Sequence, residues 1–291
     1  MKKIGMIGIG MMGHGIATNL LKHGYKLTLL EHPGNQPLAT LVTGGAATAC
    51  TPQALAAASE VIILCVTGTP QVEEVLMGEN GVLKGLKPGT VVIDCSTAIP
   101  TSTDRVSAMV IANGGLFLDA PMTRTPKEAA EGRLNLLVGA DTTLFEQCRP
   151  LLACFAENIV HAGPIGAGHR MKLLHNFVSL GSVALMAEAA ACATAAGIPA
   201  QTFVDVLAMG GGWGAPLDRL KPYLVNQDTS SMRFSIANSL KDLSYYNQMA
   251  QDMGSDRTVA ASIKKTLEQA CKDADPQKLL PELVTIISQR K

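Results

Sequence analysis

A lysine and an asparagine stand one helical turn apart in the longest apolar stretch of the chain. Lys172 and Asn176 lie within residues 166–197, a segment without a proline. A spacing of four residues places both side chains on one face of a helix. An ammonium group that enters a buried helix is costly unless it has a partner or a task, and general acid/base catalysis is such a task. The alternative is that Lys172 lies at an exposed helix end with its charge in water.

The segment that carries these two residues is expected to be one long buried helix. Ala, Leu and Met, which are good helix formers, dominate it, and its length at 1.5 Å per residue would be about 45 Å. Apolar residues occur nearly all round it, as is typical of a buried helix. A membrane span is not expected, because polar side chains interrupt the run, namely those of His169, Arg170, Lys172, His175, Asn176 and Glu188.

A glycine motif near the start of the chain predicts a dinucleotide site. Residues 3–9 form a short apolar run, Gly8-Ile-Gly10-Met-Met-Gly13 follows it, and residues 16–21 continue at helical spacing. Gly8 allows the tight turn, Gly10 allows the backbone to approach a pyrophosphate, and Gly13 allows close packing of helix on strand. The free N–H groups at the start of the helix would then bind the phosphates.

The residue that ends the second predicted strand bears on the choice of dinucleotide. Glu31 follows the apolar segment 26–30, and an acidic side chain there hydrogen-bonds the adenosine ribose and repels a 2′-phosphate. NAD is therefore the preferred cofactor. NADP stays open because His32 or Lys22 would offset a phosphate charge, and in the alternative interpretation Glu31 merely ends the strand.

Strand and helix patterns alternate through the first half of the chain. Continuous apolar runs such as 60–66 and 90–94 are typical of parallel sheets, and the helical segments between them predict βαβ units with helices on both faces. Ligands bind at the carboxyl ends of such strands, where the loops 67–70, 96–100 and 121–126 fall. Ordinary turn chemistry would also explain the composition of these loops.

After Gly197 every predicted element is a helix, and a glycine-rich break holds the only tryptophan, Trp213. The expected fold is α/β: an N-terminal Rossmann-type parallel-sheet domain joined by a long central helix to an all-α C-terminal domain. The domains are predicted as 1–163 for dinucleotide binding and 164–291 for substrate binding and dimerisation, the latter beginning with the helix 166–197. Trp213 is interpreted as a tertiary anchor rather than as part of the site.

Five motifs occur in the order and spacing of one family. They are GIGMMGHGIATNLLKHGY at 8–25, DCST at 94–97, DAPMTRTPKEAAEGRL at 119–134, GAGHRMKLLHN at 166–176 and KDL at 241–243. With these motifs, which cover essentially its whole length, the chain resembles the β-hydroxyacid dehydrogenases, the group of 3-hydroxyisobutyrate dehydrogenase and its relatives. The resemblance implies an NAD(P)-dependent oxidoreductase that interconverts a small hydroxy acid and its aldehyde or keto form.

The resemblance also assigns roles to residues. It makes Lys172 the catalytic acid/base and Asn176 the residue that orients the substrate, and it places Ser96 and Thr97 beside the nicotinamide and Lys241 near the substrate. A lysine whose pKa is lowered by burial can take a hydroxyl proton near neutral pH, while the nicotinamide carries the hydride. The expected cofactor-binding residues are Gly8, Ile9, Gly10, Met11, Met12, Gly13, Glu31, Val66, Thr67, Thr97 and Lys241.

The chain departs from the family pattern in one loop. Relatives usually have Ser-Gly-Gly where this chain has Thr123-Arg124-Thr125, and a guanidinium offers a bidentate fork to a carboxylate, sulfonate or phosphate. Relatives that reduce sulfolactaldehyde look similar here. The expected substrate-binding residues are therefore Thr123, Arg124, Thr125 and Lys241, and an alternative activity is the reduction of an anionic aldehyde such as sulfolactaldehyde held by Arg124. In the competing interpretation Arg124 points to solvent or to the cofactor phosphates.

Other functions on the same fold fit the residues less well. A dinucleotide-binding sensor without chemistry would not need Lys172, Asn176 and Lys241 together. An imine reductase has the same two-domain plan but usually lacks the lysine. His175, which replaces an asparagine common in the family, is interpreted as a packing residue.

Composition restricts the partners and the compartment. The 24 basic residues balance the 24 acidic ones, so neither nucleic acid nor a membrane surface is an expected partner. Seven scattered cysteines without a CxxC motif indicate a reduced, cytoplasmic protein. The histidines show no metal-ligand spacing, so no metal is expected. The expected partners are a small anionic hydroxy acid or aldehyde and, from the family, further copies of the chain in a homodimer or homotetramer.

Overall fold

The structure is a computed structural model that describes residues 2–290. Its chain divides into two compact units, Met1–Lys172 and Leu173–Lys291. The predicted boundary between 163 and 164 lies earlier than this division. The reason for the difference is that the first turn of the long helix is hydrogen-bonded to the sheet of the first unit through Asp119.

The first unit alternates strands and helices. Its strands are β1 (Lys3–Ile7), β2 (Lys26–Leu30), β3 (Ala47–Ala49), β4 (Val61–Leu64), β5 (Val91–Asp94), β6 (Leu116–Asp119), β7 (Met122–Thr123), β8 (Leu134–Gly139) and β9 (Ala156–Gly163). Its helices are α1 (Met11–Lys22), α2 (Ala39–Thr43), α3 (Pro52–Ala57), α4 (Thr69–Met77), α5 (Pro100–Ala112), α6 (Pro126–Glu131) and α7 (Thr142–Leu152), with a 3₁₀ turn at Val82–Lys84.

The sheet has a parallel half that matches the expectation from sequence. Its strands run in the order β3-β2-β1-β4-β5-β6, and each neighbouring pair is parallel. All four residues of β4 and of β5 are buried, which is why both read as continuous apolar runs. The strand order reverses direction at β1, between β2 and β4, and ligands of open α/β sheets bind at this switch point.

The other end of the sheet is not parallel, contrary to the prediction of uniform βαβ units. β8 runs antiparallel to both β6 and β7, and β9 pairs with β8 in parallel. Between β6 and β8 the chain extends into β7 and the six-residue helix α6. A parallel return requires a crossover that usually contains a full helix, and this connection instead folds back directly.

Two apolar layers enclose the sheet. Ile63 and Ile93 belong to the core on one face, whereas Ile62 and Val92 belong to the core on the other, because successive side chains of a strand point to opposite faces. Burial of each such side chain stabilises the fold by about 1.5–3 kcal/mol. On the first face α1 approaches α6 so closely that a Cβ on Gly15 would lie 2.5 Å from a backbone atom of Ala129.

The second unit is helical. α8 (Ala167–Ala195) begins in the first unit, and α9 (Ala200–Ala208), α10 (Ala215–Asn226), α11 (Ile236–Asp252), α12 (Thr258–Asp273) and α13 (Leu283–Ser288) follow, with a 3₁₀ turn at Leu280–Glu282. Val183 and Ala187 of α8 pack in one core with Leu243 and Leu267. By length and composition α8 would also be able to cross a membrane, a test that core helices of soluble proteins pass as well. The expectation that it does not stays a prediction.

Candidate active site

The glycine motif forms a cradle with room above one glycine only. Gly8 has a φ of +92°, and a Cβ there would lie 2.3 Å from the carbonyl oxygen of Cys65. A Cβ on Gly13 would lie 2.0 Å from the carbonyl oxygen of Gly8, whereas a Cβ on Gly10 would meet no protein atom within 4 Å. The turn and the packing therefore require Gly8 and Gly13, and the space over Gly10 fits a pyrophosphate.

The helix after the cradle supplies an anion site. Gly10 is the N-cap of α1 and has no side chain to accept the N–H groups of the first turn. Met11 and Met12 begin this turn, and the positive end of the helix dipole favours a phosphate here.

Asn35, which was not predicted as a site residue, holds the cradle in place. Its Oδ1 accepts from the backbone N–H of Ile9 at 3.1 Å, and its Nδ2 donates to the carbonyl of Leu30 at 2.8 Å. The backbone N–H of Gln36 donates to the carbonyl of Ile9 at 2.7 Å. The only signal in the sequence was an asparagine after a Pro-Gly pair, which predicts a turn but not these partners.

A pocket at the end of β2 has Glu31 on its wall. The pocket is lined by Glu31, His32, Pro33, Asn35, Gln36 and Leu38. The Glu31 carboxylate is exposed and lies 3.6 Å from the Cys50 sulfur. An exposed carboxylate beside the glycine cradle can accept hydrogen bonds from ribose hydroxyls, so the geometry fits the adenosine end of a dinucleotide.

The loops after β4 and β5 are joined by Ser96. The backbone N–H of Val66 donates to Ser96 Oγ at 3.0 Å, and the N–H of Ser96 donates to Asp94 Oδ1 at 2.9 Å. Thr67 is exposed and Thr97 is half-buried. The predicted cofactor-binding residues of the first unit thus lie at the carboxyl ends of β1, β2, β4 and β5.

A buried aspartate fixes the start of α8. Asp119, at the end of β6, accepts the N–H of Gly166 through Oδ1 at 2.6 Å and the N–H of His169 through Oδ2 at 2.7 Å. Burial raises the pKa of Asp119, while the charge of His169 and the two backbone N–H groups act in the opposite direction. Lys172 follows in the next turn and is half-buried. Asp119 was not predicted as a site residue, although it stands in the family motif.

In the second unit Asp242 joins the two predicted residues Asn176 and Lys241. The Asn176 Nδ2 donates to Asp242 Oδ2 at 2.6 Å, and Lys241 Nζ lies 3.2 Å from Asp242 Oδ1. Asn176 and Asp242 are buried, so the amide of Asn176 has a fixed orientation. His175 is exposed, and its Nδ1 lies 3.0 Å from Asn176 Oδ1. The interpretation of His175 as a packing residue is therefore wrong.

The loop 123–125 is held by protein partners. Arg124 has a φ of +82°, and its guanidinium donates to the carbonyl of Arg133 and to the Glu157 carboxylate. The hydrogen bond from the Arg124 guanidinium is the main cause that lowers the pKa of Glu157. Thr123 Oγ1 accepts from Asn135 at 3.1 Å, and Thr125 is the N-cap of α6. A substrate anion would therefore compete with Glu157 for Arg124.

Two further expectations meet different outcomes. Trp213 is 70% exposed, so its interpretation as a tertiary anchor is wrong: the glycine-rich break carries the ring on the surface. Within residues 2–290 no cluster of His, Cys, Asp and Glu is placed to hold a metal ion, and the absence of a metal stays a prediction.

The parallel sheet, the glycine cradle at its switch point and the acidic residue at the end of β2 define a dinucleotide-binding protein. The family model for the NAD binding domain of 6-phosphogluconate dehydrogenase matches residues 3–163. The model described as NAD-binding of NADP-dependent 3-hydroxyisobutyrate dehydrogenase matches residues 166–284.

Relatives with curated activities cover most of the chain. NAD-dependent L-serine dehydrogenase of Pseudomonas aeruginosa is 33% identical over 237 residues, which are 81% of this chain and 79% of the relative. 3-Sulfolactaldehyde reductase of Escherichia coli is 33% identical over 270 residues, which are 93% of this chain and 90% of the relative. The solved structure of 3-hydroxyisobutyrate dehydrogenase of Mycobacterium tuberculosis with L-serine has a TM-score of 0.87 and 26% identity, and the match covers 98% of each chain.

The chain belongs to the β-hydroxyacid dehydrogenase family, as its motifs indicated. It is an oxidoreductase that uses NAD or NADP.

Proposed function

We propose that this chain interconverts a small anionic hydroxy acid and its aldehyde or keto form, with Lys172 as general acid/base. One observation carries the assignment: Lys172 lies in the turn that follows the Asp119-capped start of α8, in the same unit as the glycine cradle. A helix whose first turn is bonded to a buried strand end holds its side chains in a reproducible position, which proton transfer requires.

The chemistry divides between cofactor and protein. When bound, NAD or NADP supplies the hydride acceptor or donor. The amine of Lys172 takes the hydroxyl proton during oxidation, and its ammonium form returns a proton to the carbonyl oxygen during reduction. Asn176, whose amide Asp242 orients, is assigned to hydrogen-bond the substrate. Lys241 is assigned to bind the substrate and the cofactor.

The substrate class follows from the relatives and from one loop. Serine, 3-hydroxyisobutyrate and sulfolactaldehyde, which occur in the names of the relatives, are all small and carry an acidic group. A second candidate activity, the reduction of an anionic aldehyde such as sulfolactaldehyde, is favoured by the guanidinium that Arg124 places in the 123–125 loop. Thr123 and Thr125 would flank the acidic group in either case.

The finer assignments rest on separate features. The exposed carboxylate of Glu31 favours NAD over NADP. Met171, Leu174 and Val178 form an exposed apolar stripe on α8, and such a stripe supports assembly into a homodimer or homotetramer. All seven cysteines are free, which supports a reducing, cytoplasmic location. The balanced charge argues against nucleic acid and membrane partners.

The test is a set of initial rates with NADH and NADPH on small aldehydes with and without an acidic group. We expect Lys172→Ala to lower kcat by roughly 10²- to 10⁴-fold, while the dissociation constant of the dinucleotide stays within about threefold of the wild-type value. Lys265→Ala, an exposed lysine on α12, is the control and should match the wild type.

Two results would contradict the proposal. Full activity of Lys172→Ala would remove the lysine from the reaction. Tight binding of NADH without turnover of any aldehyde by the wild type would instead support the dinucleotide-binding sensor.

A further inference from the structure

His169 is a fully buried histidine in the first turn of α8, three residues before Lys172. Its side chain has no exposed surface. Other buried polar residues surround it, and these belong to the loop after β5 and to α5. A buried imidazole is retained at little cost only where both ring nitrogens find partners.

The ring has one partner on each side. Nε2 lies 3.1 Å from the carbonyl oxygen of Ser96, and Nδ1 lies 2.8 Å from Thr103 Oγ1. A carbonyl oxygen can only accept, so Nε2 carries the hydrogen that is donated to Ser96. In the neutral ring Nδ1 then accepts from the hydroxyl of Thr103.

Two carboxylates face the ring without bonding it. Asp94 Oδ2 lies 3.9 Å from Nε2, and Asp119 Oδ2 lies 3.9 Å from Nδ1. Both distances exceed that of a hydrogen bond. Asp94 Oδ2 is buried and has no hydrogen-bond partner among residues 2–290. The ring is therefore packed between two buried carboxylates in addition to its two hydrogen-bond partners.

The partner of Nε2 is itself fixed from two other directions. Ser96 donates its N–H to Asp94 Oδ1 and accepts the N–H of Val66 on Oγ. His169 supplies the third attachment through the Ser96 carbonyl. The next residue is Thr97, which is predicted to lie beside the nicotinamide. The single imidazole therefore connects the loop of Thr97 with the turn before Lys172.

We propose that His169 is a positioning residue that sets the distance between Lys172 and the Ser96–Thr97 loop through its bond from Nε2 to the Ser96 carbonyl. The proposal rests on the proposed function, since it gives meaning to that distance only if Lys172 transfers the proton. Asp119 fixes the backbone of the same turn, and His169 adds the hydrogen bond from this turn to the Ser96 carbonyl. A misplacement of about 1 Å in such a pair costs roughly 10²-fold in rate.

Two amide substitutions separate the two bonds of the ring. The amide nitrogen of glutamine takes nearly the place of Nε2, so His169→Gln keeps a donor for the Ser96 carbonyl and loses the contact with Thr103. The shorter amide of asparagine takes the place of Nδ1, so His169→Asn keeps the contact with Thr103 and loses that with Ser96. Both variants bury one amide in place of the imidazole. A difference in kcat between them therefore reports the effect of the bond to Ser96.

The experiment measures kcat, KM, the NADH dissociation constant and the thermal unfolding midpoint for both variants. We expect His169→Gln to keep at least about a third of the wild-type kcat and His169→Asn to lose roughly 10- to 100-fold. The NADH dissociation constant of both variants should stay within about threefold of the wild-type value. His161→Asn is the matched control, because the ring of His161 also bonds one carbonyl, that of Ala140, at 2.9 Å, and its kcat should stay unchanged.

Equal kcat values for His169→Gln and His169→Asn would overturn the proposal, whether both are high or both are low. So would a loss of NADH affinity in His169→Asn as large as its loss of kcat. Failure of the proposed function is recognised separately: either Lys172→Ala would be fully active or the wild type would turn over no aldehyde, whatever the two His169 variants do.

Discussion

The backbone of Arg124 provides a measurable test of how this chain departs from its family. Its φ of +82° lies in the left-handed region, which costs a residue with a Cβ about 1–2 kcal/mol. The family resemblance implies a glycine in this part of the loop, and glycine adopts such angles without that cost. Arginine is therefore held in the loop against a backbone preference.

Comparing Arg124→Gly with Arg124→Ala isolates this cost. Both variants lose the guanidinium and its bonds to Arg133 and Glu157, so these bonds cancel in the comparison. Relative to alanine, glycine raises the free energy of unfolding by roughly 1–2 kcal/mol, because it adopts the left-handed backbone without strain. It also lowers this free energy by about 0.4–1 kcal/mol, because glycine has more conformational freedom in the unfolded chain. We therefore expect Arg124→Gly to be more stable than Arg124→Ala by about 0.8 kcal/mol, the difference between the midpoints of these two ranges.

The assay is urea unfolding followed by far-ultraviolet circular dichroism, with the same pair of substitutions at Lys265 as control. Lys265 is exposed within α12, and in a helix alanine should be the more stable residue by about 1 kcal/mol. The order must thus reverse between the two positions. If Arg124→Gly is no more stable than Arg124→Ala, the left-handed backbone does not carry the energy assigned to it.

The same two variants test the role of the guanidinium. If Arg124 holds the acidic group of the substrate, both should lose roughly 10- to 100-fold in kcat/KM for an anionic aldehyde, since a hydrogen bond to a charged group is worth about 1.5–3 kcal/mol. The value for a neutral aldehyde should be unaffected. An unchanged ratio between the two aldehydes would leave Arg124 only a structural role, through its bonds to the Arg133 carbonyl and the Glu157 carboxylate.

Three further predictions concern the first unit. Gly10→Ala should have a free energy of unfolding within about 1 kcal/mol of the wild-type value, yet it should bind NADH at least roughly tenfold more weakly. Gly13→Ala should lose about 1–3 kcal/mol of stability, because its Cβ would meet backbone atoms. Urea unfolding and fluorescence titration check both variants, and equal stabilities would contradict the packing argument. Glu31→Ser should lower the ratio of kcat/KM for NADH to that for NADPH by about tenfold or more, because it removes the charge that repels a 2′-phosphate; a constant ratio would assign the preference elsewhere. Burial and, to a smaller extent, the charge of Asp94 raise the pKa of Cys65 from 9.0 to about 12. Above pH 9 the thiol is therefore deprotonated in the unfolded chain but still protonated in the folded one. The free energy of unfolding should then fall by up to about 1.4 kcal/mol per pH unit as the pH rises. Urea unfolding between about pH 8 and pH 10.5 should accordingly show a shallower decline for Cys65→Ala than for the wild type, and parallel declines would contradict the assignment.

The sequence predicted those elements that local patterns determine. The predicted strand at 26–30 coincides with β2, and the predicted segments 60–66, 90–94 and 166–197 contain β4, β5 and α8, because long or continuous apolar runs leave a strong local signal. The antiparallel course of β8 and the short helix α6 were not predicted. Neither leaves a periodic signal, since β8 reads as a buried strand in either direction and α6 has only six residues.

The partners of the site residues were out of reach for a different reason. Asp119 bonds a backbone N–H fifty residues away, and His169 bonds a carbonyl 73 residues away. Spacing along the chain contains no information on such contacts, which exist only after β5, β6 and α8 have come together. Lys172 and the glycines could be proposed from the sequence because their signals are local, whereas Asn35, Asp119 and Asp242 act through contacts with distant residues.

The difference between buried and exposed polar groups explains how substrate preference and chemistry can change separately in one fold. Removing a partner from the buried contacts of Asp119 or His169 leaves an unsatisfied group, at a cost of about 1–3 kcal/mol each, and it also disturbs the turn before Lys172. Arg124 lies instead in a partly exposed ion pair, and such pairs contribute little to stability. If Arg124 binds the acidic group as proposed, a substitution at 124 alters the charge offered to a substrate without loosening the cradle or α8. On this argument, relatives that differ in their acidic substrate should differ first in the loop 123–125 and last in the groups around Asp119.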